Sequence, residues 1–372
     1  MSVIVDGSNG LIFNDASTQT TAATGFGFKN RIINGAMVID QRNAGASTST
    51  GSLTYSVDRW VYYTNLTSKG TWGQNLNSVT PPAGFTKYLG FQSSAATSMA
   101  STDFTGFWQA IEGFNIADLA WGTASAQPVT LSFWVRSSLT GTFSGSLRNG
   151  PHNLGYAFNY TINSANTWES KSITVAGPTS GTWNVDNTSG IEVLFSMGMG
   201  STYNTTANSW QAMNVGASTG SVNVYGTNGA TFYLTGVQLE KGSTATAFDY
   251  RDYGRELQMC QRYCVLYASR DPEVIGSGSM WTGTNAWITV RMPVPMRASP
   301  TMSCTTGTNY YNFRTAATQA YSTTLLDPSY VGSANLGALI YRDSLGTDLG
   351  TGRGVVLNIS DPLGKVLYTA EL

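Results

Sequence analysis

At 372 residues the chain is long enough for two or three domains, and an aromatic content of 12% excludes a disordered polypeptide. Only 11% of residues are charged and the net charge is −1, so no basic stripe is available to release counterions from a phosphate backbone, and nucleic acid is excluded as a partner. Three cysteines cannot frame a disulfide scaffold and one histidine leaves zinc without its usual ligands. The first thirty residues hold no apolar signal-peptide core, and no apolar run of about 18 residues occurs. These features predict a protein made in a cytoplasm, without a standard secretion signal and without membrane insertion.

In chain order, residues 1–28 alternate short extended pieces with Asp6-Gly7 and Asn9-Gly10 turns. Too few apolar residues are present to fold alone, which predicts an extended N-terminal attachment arm that lies on a body or winds with copies of itself. Residues 29–250 read as strand after strand, at 31–42, 53–65, 87–92, 103–112, 128–137, 142–147, 156–162, 168–175, 191–197, 222–224 and 231–240, with a short helical turn at 117–121. Gly, Asn, Ser and Pro punctuate them at the spacing of a two-sheet sandwich, predicting one large jelly-roll-like domain.

Between residues 251 and 270 the pattern changes to that of a helix. It is expected to begin near Asp252, run through residues 254–267 and stop before Pro272. Tyr253, Leu257, Cys260, Cys264 and Tyr267 are spaced four, three, four, three, an a/d seam about two heptads long. Met259, Tyr263 and Leu266 form a second apolar row. Two readings stay open from the pattern: both rows pack on flanking domains of one chain, or one row associates with copies of the chain.

Residues 271–372 return to the β-pattern as a smaller C-terminal sandwich, with strands at 286–297, 310–314, 338–341, 355–359 and 366–370 and a loop-rich stretch over 332–354. In the first of these Ile288, Val290, Met292 and Val294 share the inward face, and Pro293 and Pro295 point to an edge strand. The fold class is therefore all-β, with one bridging helix.

Chemistry was sought by residue type. Gly216-Ala-Ser-Thr-Gly220 has nucleophile-elbow spacing, yet no helix follows and His152 is the one available base. Glycoside hydrolysis needs two carboxylates about 5–9.5 Å apart; Asp103 with Glu112, or Glu169 with Glu192, would have to be brought together by the fold. No catalytic residue is assigned. The loops at 186–190 and 343–348 are oxygen-rich but lack the spacing of a calcium loop, so no metal or cofactor is expected. Sugar binding without chemistry needs aromatic faces beside polar groups. Strand parity places Trp134 and Arg136 opposite Leu131, Phe133 and Val135, and Trp108 on one face with Phe104 and Glu112. In the C-terminal domain Trp281, Trp287, Tyr310 and Tyr311 are the candidates, with Trp287 opposite in parity to Ile288.

These residues carry a resemblance. Gly10-Leu-Ile-Phe-Asn-Asp-Ala-Ser-Thr-Gln-Thr-Thr-Ala22 resembles the short N-terminal repeats of bacteriophage tail-fibre proteins. Lys29 to Asn43, Val57-Asp-Arg-Trp60, Thr130 to Arg136, Thr235 to Glu240, Leu257 to Tyr263 and Val294 to Thr301 are similar to a widespread family of phage and prophage structural proteins. In that family the large domain is similar to the jelly rolls of carbohydrate-binding modules. The likeness covers most of residues 1–305, and the remainder matches nothing in particular. It implies a virion component, usually a homotrimer, held by phage tail or capsid proteins through its N-terminal arm and meeting host surface glycan at its far end. It also favours self-association for the seam, and a non-catalytic fibre or adhesin; the alternatives are a purely structural fibre or capsid-decorating protein, and a glycan-degrading tailspike.

Overall fold

The computed structural model describes residues 28–306, 310–315, 337, 339, 340, 345 and 349–372 in full, and the backbone of strands at 4–6, 10–12, 18–19, 318–323, 327–330 and 337–342. In the arm, β1 (Ile4–Asp6), β2 (Gly10–Ile12) and β3 (Thr18–Gln19) form a small antiparallel sheet; the rest of residues 1–27, and any role in attachment, lie outside the described residues.

The large domain contains β4 (Leu53–Val57), β5 (Trp60–Thr64), β6 (Gly70–Gln74), β7 (Leu89–Ser93), β8 (Phe104–Glu112), β9 (Val129–Ser137), β10 (Gly141–Asn149), β11 (Gly155–Ile162), β12 (Glu169–Val175), β13 (Ser189–Met199), β14 (Asn204–Thr205), β15 (Trp210–Gln211), β16 (Ala217–Ser218) and β17 (Thr231–Lys241). A seven-stranded sheet, β15-β11-β10-β13-β8-β5-β4, faces a five-stranded one, β12-β9-β17-β7-β6. This is the expected all-β sandwich. Period-two alternation sends Leu131, Phe133 and Val135 of β9, and Phe107, Phe158, Val193 and Phe195 of the facing sheet, into one core. Tyr62 stacks on Trp72 there, with centroids 4.4 Å apart.

Three expectations in this domain are corrected. Residues 31–42 form no strand: Asn34 and Met37 have φ of 58° and 60°, and the segment plugs the end of the sandwich with Ile32 and Met37. Its backbone is satisfied by side chains in place of a ladder: Asn34 bonds Ile39 and Asp58, and Gln109 bonds both the N–H and the C=O of Ile33. Residues 53–65 are a hairpin, turned at Asp58-Arg59, where Arg59 has φ of 71°. Residues 222–224 carry no strand; a 3₁₀ turn covers Val224–Gly226.

Helix α1 spans Tyr253–Gln261 and starts as expected, with the Asp252 carboxylate accepting from Arg255 N at 2.9 Å. It ends earlier than its periodicity indicates, because Cys264–Ala268 is a strand, β18. The a/d seam is thereby corrected: Tyr253, Leu257 and Cys260 are helical, whereas Cys264 and Tyr267 lie on β18. Cys260 and Cys264 are fully buried within the chain, Leu257 and Tyr267 are half-buried and Tyr253 is exposed. Cross-strand pairing outweighs helix propensity over 264–268.

The remaining strands are β19 (Val274–Met280), β20 (Ala286–Arg291), β21 (Thr301–Cys304), β22 (Tyr311–Thr315), β23 (Thr318–Thr323), β24 (Asp327–Tyr330), β25 (Gly337–Arg342), β26 (Gly354–Ile359) and β27 (Val366–Thr369). They form a three-stranded sheet, β18-β27-β21, and a seven-stranded sheet, β23-β22-β26-β19-β20-β25-β24, around a second core. Strand β20 is interior, with Pro293 and Pro295 beyond its end, which corrects the edge assignment. Its inward row Ile288, Val290 and Met292 is buried as expected, while Val294 is half-buried.

The two domains are clasped. Glu371 accepts from Arg42 at 2.7 Å and from Arg59, and the Arg59 guanidinium lies 3.6 Å from the centre of the Tyr263 ring. Gln41 donates to Cys264 O at 2.7 Å, and Arg297 donates to Asn187 O at 2.8 Å. Burial of Asp58 beneath this clasp outweighs the nearby Arg42 charge and Gln41 hydrogen bonds and pushes its carboxyl up to about 6.

Candidate functional site

Strands β19 and β20 pair antiparallel with Ser279 opposite Trp287 and Met280 opposite Ala286, and Trp281 N donates to Asn285 O at 2.7 Å to close the loop between them. Alternation buries Ala286, Ile288 and Val290 and turns Trp287, Thr289 and Arg291 outward. Trp287 is 39% exposed and Trp281 63%. Their rings stack, with centroids 5.1 Å apart and planes 12° apart. On the same face Ser277, Ser279 and Thr289 are exposed, and the register continues from Ser277 to Val356 and Arg314. The result is an open sheet of hydroxyls with an aromatic stack at one end and a guanidinium across it. Tyr311 does not join it: fully buried, its hydroxyl donates to Thr305 O and Lys365 O. Tyr310 is half-buried against the same core.

The outer face of the five-stranded sheet carries the other predicted pair. Trp134 and Arg136 point away from the core as parity required, and both are half-buried. Around them stand Tyr88, Trp168 and Tyr233, which sequence reasoning missed, although Tyr233 is opposite in parity to the buried Phe232 and Leu234. Tyr88 lies 5.5 Å from Tyr233 and 5.8 Å from Trp168, and Arg136 sits 5.9 Å from the Tyr233 centroid. The connection from β6 to β7 roofs this group: Asn77 donates to Tyr233 Oη, Val79 N to Tyr88 Oη, Tyr88 Oη to Leu76 O, and Trp168 Nε1 to Thr80 O. A bulge at Gly236 (φ +62°) lets Phe85 and Trp134 close over the strand; a Cβ there would stand 2.6 Å from Phe85 Cζ.

Trp108 lies on the outer face of the seven-stranded sheet, half-buried, with the Arg148 guanidinium 4.4 Å from its ring centre. Arg148 Nε donates to Glu192 at 2.7 Å and His152 Nε2 lies 3.0 Å from the same oxygen. Burial disfavours the Glu192 anion, but His152 and Arg148 together hold its carboxyl below the usual range. Glu112 is likewise committed, accepting from Arg262 at 2.8 Å and from Tyr263 Oη at 2.6 Å. Asp103 immediately precedes β8 and Glu112 ends it, a separation of about 30 Å along an extended strand, far beyond a hydrolytic pair. Glu169 and Glu192 belong to opposite sheets. Ser218 Oγ donates to Asn159 and is buried, and the His152 ring is engaged by Glu192. Asp186 closes a turn on Thr188; most of the 343–348 loop lies outside the described residues.

No family model and no curated protein matches this chain. Among solved structures it is similar to the enzymatically active domain of tailspike protein 4 of bacteriophage CBA120, at 15% identity and a TM-score of 0.28 over 57% of this chain and 21% of that one. The chain thus spans about a fifth of that domain. It is also similar to the family 11 carbohydrate-binding module from Clostridium thermocellum in complex with a β-1,3-1,4-mixed-linked tetrasaccharide, at 10% identity and a TM-score of 0.26 over 54% and 100% of the two chains. A third is the CBM22-1 xylan-binding domain from Paenibacillus barcinonensis, at 10% identity and a TM-score of 0.25 over 55% and 99%.

Proposed function

We propose that this chain is a non-catalytic glycan-binding subunit of a bacteriophage fibre, carried on the virion as a homotrimer and attached through its N-terminal arm to tail or capsid proteins. The virion placement and the trimer rest on the sequence resemblance in residues 1–305. The observation that carries glycan binding is the outward Trp281–Trp287 stack beside Ser277, Ser279 and Thr289. A pyranose presents an apolar C–H face that lies on an indole ring, and its hydroxyls need polar partners within a few ångströms. Both are present on one outward face.

The engagement of Glu112 and Glu192 in ion pairs supports a binding role over a hydrolytic one. The test is retention of host surface polysaccharide by the purified chain, read by affinity electrophoresis or calorimetry. Wild type is expected to bind and Trp281→Ala/Trp287→Ala to lose retention with unchanged folding. Equal binding by that variant, or no binding by wild type, refutes the reading. Solution mass at micromolar concentration tests the trimer separately.

A further inference from the structure

The stacked tryptophans form an open platform, but the molecule also holds a walled cavity. It has a volume of about 170 Å³ and lies where the plug segment at Gly35, Ala36 and Val38, the Gly84–Thr86 turn and the approach to α1 meet. That is the liquid volume of about six water molecules, the scale of one sugar ring and too small for a chain. One wall is aromatic: Phe85, Phe248 and Tyr250 pack on one another with centroids 4.9 to 5.6 Å apart.

The lining also carries charge, at Asp249, Arg251 and Glu256. Arg251, with a side chain 6% exposed, lies 3.5 Å from Asp249 and 3.4 Å from Glu256. Its guanidinium is held by the backbone, with Nη1 donating to Ile32 O at 3.0 Å and Nη2 to Asn30 O. Glu256 gives one oxygen to Asn34 N. Among the described residues Asp249 has no side-chain partner besides Arg251, and the Tyr250 and Thr86 hydroxyls accept and donate no hydrogen bond. A carboxylate and two hydroxyls are thus left to meet a ligand beside an apolar wall. A ligand that complements this carries several O–H donors and one C–H face. An ammonium group suits the charge but not the shape, because the three rings touch and leave no cage between them.

We propose that this cavity is a second glycan site, taking a single uncharged pyranose unit with its C–H face on Phe85 and Tyr250 and its hydroxyls donating to Asp249 and Glu256. The proposal rests on the glycan-binding reading and adds an end-on monosaccharide pocket to the flat platform on the C-terminal sheet. The pocket reads one sugar residue at a chain end or branch, whereas the platform takes a run of them.

The test titrates the full chain with methyl glycosides of hexoses, 6-deoxyhexoses and N-acetylhexosamines, by calorimetry and ligand-observed NMR, beside host polysaccharide. At least one glycoside is expected to bind at one site per chain. Asp249→Asn, which leaves the Asp249 N–H bond to Gln238 in place, should weaken it about tenfold or more, as should Phe85→Ala. Glycoside binding indifferent to both pocket variants overturns the site. So does polysaccharide binding with no glycoside bound, which leaves the tryptophan platform standing. Failure of every sugar to bind overturns both the site and the glycan reading.

Discussion

On the sandwich, Tyr88, Tyr233 and Trp168 point outward and are covered by the β6–β7 connection; on the C-terminal sheet, Trp281 and Trp287 point outward and stay 63% and 39% exposed. Both groups stand on strands or at their ends and face away from a core, yet Tyr88 is 1% exposed and Trp281 63%. The difference lies in what the neighbouring chain can reach. The segment from 75 to 88 is long enough to fold back, and it presents backbone groups and Asn77 to every polar edge of the aromatic group. The loop from 281 to 285 is short and closes on itself through Trp281 N and Asn285 O, and Trp281 stays 63% exposed. A covered aromatic face contributes to stability, because a buried ring removes about 150–250 Å² from water; a partly exposed one keeps the remainder for a ligand.

If this division holds, substitutions on the two faces separate stability from binding. Tyr88→Ala should have the largest effect: it empties a buried ring site and strands Val79 N and Leu76 O, costing about 3–5 kcal/mol in chemical denaturation. Polysaccharide retention below the new midpoint should be unchanged. A variant that kept its stability but lost retention would move the binding face to the sandwich. Next is Glu371→Ala, which asks whether the two faces belong to one clasped body. It leaves Arg59, whose side chain is 2% exposed, without its carboxylate partner, at a cost of about 3 kcal/mol. The melting curve should split into two transitions, and glycan retention by the C-terminal sheet should survive. A single unsplit transition would show that the clasp is not what couples the domains.

Direction was legible in the sequence; cover was not. Period-two alternation correctly turned Phe133 inward and Trp134 outward, and did the same for Ile288 and Trp287. It failed where a residue's fate depends on segments distant in the chain. Tyr311, a binding candidate by residue type, shares the inward face with Phe313 and meets Thr305 and Lys365. Residues 31–42 have strand-like composition, but their hydrogen bonds go to Asn34 and Gln109 side chains. The helical spacing of Cys264 and Tyr267 was overridden by pairing with β27, about a hundred residues later. The cavity at Asp249 is hidden in the sequence for the same reason, since its walls come from residues 35, 85 and 250. Only the alternation of Phe248 with Tyr250 marked it locally.

The binding half of the comparison is sharpened by Trp281→Ala with Trp287→Ala. Removing two exposed rings should cost about 2 kcal/mol of affinity, about thirtyfold, while unfolding free energy stays within about 0.5 kcal/mol. A stability loss comparable to that of Tyr88→Ala would mean that this face is covered by a partner in solution.

Trp168→Phe is the smallest and most discriminating change. Trp168 is half-buried beside Tyr88 and Tyr233, and its Nε1 donates to Thr80 O at 2.8 Å. Phenylalanine keeps an aromatic ring in place and deletes the donor, so the expected loss is about 1 kcal/mol of stability. Hydrogen exchange should quicken in the 75–88 segment alone, because the bond pins that roof and nothing in the core. Glycan retention should not change. Were the variant to gain retention instead, the roof would be a cover over a latent sugar platform at Trp134 and Tyr233, and the two faces would differ in access rather than in kind.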